Sequence, residues 1–142
     1  NDIKCIAYGY NQIHHQNVCF LTFPKDSGPG CGMILDNQLI DGNNGIAGEI
    51  AYLPLFDFLK KREFDNSLEK IIQVVATTIV MYNPHLLILT GENIKEDDLD
   101  AIQKGCLNYV PNHFMPSLKY QENCEDYYFQ GLEGQIIQRI QF

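Results

Sequence analysis

Ser27-Gly28-Pro29-Gly30-Cys31-Gly32-Met33-Ile34, followed downstream by Ala47-Gly48-Glu49-Ile50, is the stretch whose reading decides the fold. Its glycines stand at every second position between apolar runs over 18–23 and 33–35, a pattern for a tight hairpin whose backbone comes close to something. Glycine permits that approach and leaves N–H groups open to an anion. Read alone, the loop is first of all an ordinary hairpin. The acid placed after Gly48 makes it a candidate ligand wall.

Outward from this stretch, the chain reads as a helix over 2–11, then strands over 18–23, 32–36 and 49–53. A long helix follows, with Asn66 as N-cap and Glu69 three residues on in a capping-box pattern. On it Leu68, Ile71, Ile72, Val75 and Ile79 share one face, Val74, Val80 and Met81 add apolar surface elsewhere, and Pro84 ends it. Residues 85–90 form an apolar run closed by Gly91, as expected of an interior parallel strand. Glu96, Asp97, Asp98 and Asp100 crowd the start of the next helix, where the dipole favours acids; that explanation is preferred to a metal site. A strand over 117–122 and an amphipathic helix over 127–140, with Leu132, Ile136, Ile137 and Ile140, close the chain. Strands first, then alternating helices and strands, give an α/β fold with a mixed sheet in the order βββαβαβα.

Composition narrows the function classes. At 142 residues, 45% hydrophobic and 20% charged, the sequence is that of one globular domain spanning 1–142. Ten basic against eighteen acidic residues give a net charge of -8, which argues against contact with nucleic acid or anionic lipid through the general field. Lys60-Lys61-Arg62 reads as a solvated face, and His14-His15 as exposed turn histidines without metal-ligand neighbours. The cysteines, Cys5, Cys19, Cys31, Cys106 and Cys124, are odd in number and dispersed, so neither a disulfide framework nor a zinc knuckle is indicated and a reducing cytoplasm is the expected location. The longest nearly apolar stretch, 71–82, falls short of the ~20 residues that span a bilayer, and no signal peptide is recognised.

Three segments together resemble the ROK family of repressors and sugar kinases: 26–32 is similar to its glycine loop, Asp36-Asn37-Gln38-Leu39 to its hairpin, and 42–50 to its G-x-x-G-x-A-G-E-I segment. Asn1-Asp2 falls where that family carries an Asn-Asp pair. The resemblance implies a ribonuclease-H-like, actin-like ATPase lobe, the C-terminal wall of a cleft between two lobes, with the N-terminal part missing from this chain. It implies sugar binding by Asn1, Asp2 and Glu49, with Asp2 as the base if the chain is a kinase. In that case Ser27, Gly28, Gly30, Gly32 and Gly91 would face phosphates and nucleotide.

Departures from the kinase pattern are also implied. Ile50-Ala51-Tyr52 stands where the family reads Ile-Gly-His, and the zinc-binding cysteine segment is replaced by a short link over 53–65, so no zinc is expected. Asp26 and Glu92 stand where kinases have glycine, setting acids beside any phosphate. The repressors tend to carry Asp at the position of Asp26. The expectation is therefore a sugar-sensing effector lobe of a transcriptional regulator, with DNA contacted only through the missing part and no bound cofactor. The alternative is a zinc-free sugar kinase using ATP and Mg²⁺. A homodimer is compatible with both.

Overall fold

The computed structural model describes residues 2–61 and 66–140. Asn1, Arg62 and the last part of the 53–65 link, and the side chain of Ile140, lie outside the described residues. Five strands form one mixed sheet: β1 (Val18–Thr22), β2 (Gly30–Leu35), β3 (Gln38–Leu39), β4 (Leu86–Thr90) and β5 (Ser117–Tyr120), in the spatial order β3-β2-β1-β4-β5. β1 runs antiparallel to β2 and parallel to β4, and β5 is parallel to β4. This is the mixed α/β architecture expected.

Both faces of the sheet are covered, which is why β1 and β4 read as nearly continuous apolar runs. Strand alternation sends Val18, Phe20, Leu86 and Ile88 to one face, where Ile3, Ala7 and Tyr10 of α1 (Asp2–His14) meet them. Cys19, Leu21, Leu87 and Leu89 point to the other face, against α3 (Leu68–Tyr82) and α4 (Leu99–Cys106). A one-turn helix, α2 (Phe58–Lys61), precedes α3, and α5 (Glu125–Ile140) packs on α1.

That last contact is close because it is built on glycine. A Cβ on Gly9 would stand 1.8 Å from the Tyr127 carbonyl oxygen, and one on Gly131 2.0 Å from that of Cys5. The packed face of α5 therefore runs through Tyr127 and Gly131, while Ile136 and Ile137, read as apolar positions of an amphipathic helix, are exposed. On α3 the buried set is Ile71, Val74, Val75, Ala76, Thr78 and Ile79; Leu68, Val80 and Met81 face outward.

Two further expectations are corrected. The N-cap of α3 is Ser67, not Asn66: its Oγ accepts the Lys70 N–H at 3.4 Å, because the helix begins one residue later than the capping-box spacing implied. Residues 49–53 are not a strand. The Gly48 carbonyl takes the Cys31 N–H and Gly48 adopts φ +88°, which turns the chain away from β2. Two 3₁₀ turns follow, Ile50–Tyr52 and Pro54–Phe56, and Phe56 anchors the second in the core. Among the described residues no helix is long and apolar enough to cross a membrane.

Candidate functional site

A cleft of about 910 Å³ opens at the carboxyl ends of the parallel strands, the usual ligand position in open α/β sheets. Thr22, Thr90 and Tyr120 supply its floor from the ends of β1, β4 and β5. Asp2, Ile3 and Ile6 line it from the first turns of α1, and Cys124, Glu125 and Tyr128 from the start of α5. The loop between β1 and β2 gives Pro24, Ser27, Gly28, Pro29 and Gly30, and the turn after β4 gives Gly91, Glu92 and Lys95. Glu49 enters from the segment after β3.

The cleft thus gathers Asp2, Glu49, Ser27, Gly28, Gly30 and Gly91, residues up to 89 positions apart in sequence, into one wall. Gly32 does not join them. It lies within β2 beneath α1, where a Cβ would stand 2.4 Å from the Ile3 carbonyl oxygen, so it serves helix–sheet approach instead of a phosphate. Gly91, at φ +105°, occupies a conformation few side chains tolerate, and its Cβ would stand 2.6 Å from the Phe23 carbonyl oxygen.

The loop and the turn after β4 are joined. Phe23 N–H donates to the Thr90 carbonyl, Asn93 N–H to the Phe23 carbonyl, and Asn93 Nδ2 to the Pro24 carbonyl, each at 3.0 Å. Glu92 Oε2 accepts the Lys25 N–H at 2.9 Å, so this acid helps to hold the glycine loop as well as lining the cleft. Asp26 departs from the expectation: it is exposed and does not line the cleft, because the chain turns outward between Pro24 and Ser27. Asn93 and the cleft-wall residues Tyr120, Cys124 and Tyr128 carried no sequence signal. Their positions follow from the sheet order alone.

Charge on the walls is one-sided. Asp2, Glu49, Glu92, Glu122 and Glu125 line the cleft, and among the described lining residues Lys95 is the single base. Asp2 and Glu125 sit in the first turns of α1 and α5, where the helix dipoles favour them. Cys124 Sγ lies 3.8 Å from the Thr90 hydroxyl; burial pushes its thiol up, and that hydrogen bond partly offsets the rise. The acids before α4 act locally, Asp98 Oδ2 accepting the Lys95 N–H at 2.9 Å. Among the described residues no group of three or more His, Cys, Asp or Glu is placed to share a metal ion, and Tyr52 and the buried thiols do not make a tetrahedral zinc set.

A mixed sheet flanked by helices on both faces, with a cleft at the carboxyl ends of its parallel strands, defines one lobe of the ribonuclease-H-like, actin-like ATPase architecture. More particularly, the chain has the fold of the ROK sugar kinases. It superposes on a ROK family protein from Streptococcus pneumoniae in complex with sucrose, with a TM-score of 0.66 at 15% identity over 100% of this chain and 66% of that one. ROK hexokinase from Thermus thermophilus gives 0.65 at 14% identity, covering 95% of this chain and 65% of the other. A ROK family glucokinase from Streptomyces griseus, in complex with glucose and AMPPNP, gives 0.59 at 13% identity over 94% and 66%. This chain therefore spans just under two thirds of those proteins. No protein-family model matches the sequence, and no curated protein matches it either.

Proposed function

We infer that this chain is the sugar-binding lobe of a two-lobed ROK-type protein, acting as a sensor without phosphoryl transfer, the effector part of a transcriptional regulator. The observation that carries the reading is the charge of the cleft: among the described lining residues, five acids against one lysine suit a neutral polyhydroxyl ligand and oppose a polyphosphate. A carboxylate about 4 Å from a phosphate oxygen costs roughly 1 to 4 kcal/mol at effective dielectrics of about 80 to 20. Carboxylates also accept two hydrogen bonds from neighbouring hydroxyls, the work proposed for Asp2 and Glu49. Asn1, adjoining Asp2, is proposed to hold a further hydroxyl. The sucrose and the glucose bound in similar structures support the ligand class.

The second reading, an ATP-dependent sugar kinase, is favoured by the placement of Asp2 in the cleft and by the kinases among the similar structures. Asp2 would then take the proton of the attacking hydroxyl. Ser27 and the amides of Gly28 and Gly30, with Gly91, would face ATP and its Mg²⁺.

Calorimetric titration of the full-length protein with glucose and with N-acetylglucosamine tests the sugar site. Binding of at least one is expected, weakened by roughly 1 to 3 kcal/mol in Glu49→Ala through loss of charge-assisted hydrogen bonds. Equal affinity of the variant and the parent would remove Glu49 from the site. Sugar-dependent release of DNA by the same protein is expected of the regulator.

A further inference from the structure

Lys4 is a buried cation on the helix that begins at Asp2, and its side chain leaves the cleft behind. With 8% of its side chain exposed, it reaches from α1 to the segment after β3, where Nζ pairs with Asp41 Oδ1 and donates to the Gly45 carbonyl at 2.9 Å. Seven residues further along α1, on the same face, buried Asn11 donates from Nδ2 to Asn37 Oδ1 at 2.8 Å. One face of α1 thus grips the 37–45 segment at both ends. Past β3, residues 41–48 have little regular structure: Gly42, Gly45 and Gly48 take φ of +81°, +85° and +88°, and internal ties include Ala47 N–H to the Asp41 carbonyl and Glu49 N–H to the Ile46 carbonyl. Glu49 follows directly.

We propose that Lys4 is a positioning residue: by fixing 41–48 to α1 it sets where Glu49 stands relative to Asp2, which the same helix carries two residues earlier. The proposal rests on the sugar-site reading above. Its physical basis is that a buried ammonium must keep partners, so Lys4, held by the half-exposed Asp41 carboxylate and the Gly45 carbonyl, constrains where the 41–45 backbone can lie. The span runs from the Ile40 N–H to Met33 carbonyl bond at 2.9 Å to the Cys31 N–H to Gly48 carbonyl bond at 3.1 Å, and the Lys4–Asp41 pair ties it to α1. Loosening that pair frees the span from α1 while its ends stay on the sheet at Ile40 and Gly48.

The test combines amide hydrogen exchange with sugar titration on full-length Lys4→Met, Lys4→Arg and Asp41→Asn. In Lys4→Met, exchange across 41–49 is expected to rise about tenfold or more while β1 and β4 keep their protection. The dissociation constant for glucose or N-acetylglucosamine should rise about ten- to hundredfold, the scale of a small misplacement of a binding group. Lys4→Arg should recover most of both, and Asp41→Asn, on the exposed partner, should move both in the same direction if Lys4→Met does not fold. Unchanged exchange across 41–49 in the folded variants overturns the proposal, as does faster exchange with an unchanged dissociation constant. Failure of the parent protein to bind either sugar overturns the sugar-site reading, and the exchange data still decide whether Lys4 fixes the segment.

Discussion

Cys124 is the partly buried thiol of the cleft wall, whereas Cys5, Cys19, Cys31 and Cys106 are buried. Burial raises the Cys106 thiol to about 11. Since the thiolate is the nucleophile, on the order of a thousandth of Cys106 is ionised at pH 8, and its reactivity should grow only as pH climbs toward the raised value. At pH 8 a maleimide is therefore expected to label Cys124 first, with Cys106 labelled in bulk only after denaturation. Peptide mapping by mass spectrometry reads the order; Cys106 labelled as fast as Cys124 would show that α4 opens readily. At this scale the sequence was only partly legible. Gly32 has the same spacing as Gly28 and Gly30, and only the strand register shows that it meets Ile3 of α1 and not the cleft. Lys4 was legible in principle, as a charge at an otherwise apolar stripe position beside Ile3 and Ala7, but its partner Asp41 depends on the path of a loop.

Elements show why periodicity located one helix face and misplaced another. On α3 the apolar spacing matches burial at Ile71, Val75 and Ile79, because that helix lies against a sheet face of large side chains. Ile79→Ala is expected to cost about 2 to 5 kcal/mol by the transfer and cavity terms, whereas Val80→Ala, at a position 68% exposed, should change stability by less than about 0.5 kcal/mol. Urea unfolding with equal slopes checks both; equal midpoints would show that Ile79 is not core. α5 follows another rule, since its contact with α1 is made where side chains are missing. Gly131→Ala should favour an isolated helix by about 1 kcal/mol and yet destabilise the protein by roughly 1 to 3 kcal/mol, because the added methyl meets the Cys5 backbone. A raised melting temperature in that variant would show that α1 and α5 are not so tightly apposed. The 49–53 segment was misread for a related reason: Ile50, Tyr52 and Leu53 look like a strand, but the turn at Gly48 and Pro54 shape them into 3₁₀ turns.

For the whole molecule, the order of elements and the run from the glycine loop to Glu49 were enough to define the lobe, because βββαβαβα allows few topologies once the apolar strands must be covered on both faces. The charge balance of the cleft was less legible. Glu122 and Glu125 arrive with the β5–α5 turn, and Asp26, which looked like a phosphate-side acid, is exposed and does not line the cleft. The two functions divide on that balance. If it rules, the full-length protein binds sugar and transfers phosphate from ATP slowly or not at all, since Glu92 stays at the loop through the Lys25 N–H and no second base offsets it among the described lining residues. A coupled assay with ATP and Mg²⁺ across glucose, mannose and N-acetylated hexosamines measures this directly. Turnover near the ~1 to 100 s⁻¹ of ordinary kinases, abolished by Asp2→Asn with sugar affinity retained, would establish the kinase and end the sensor reading. Sugar binding without turnover, unchanged in Glu92→Gln, would show that the lack of catalysis does not rest on Glu92 alone. A gain of ATP affinity in Glu92→Gln would locate the obstacle to the nucleotide in that carboxylate, at a position where Lys95 is the nearest lining cation in sequence.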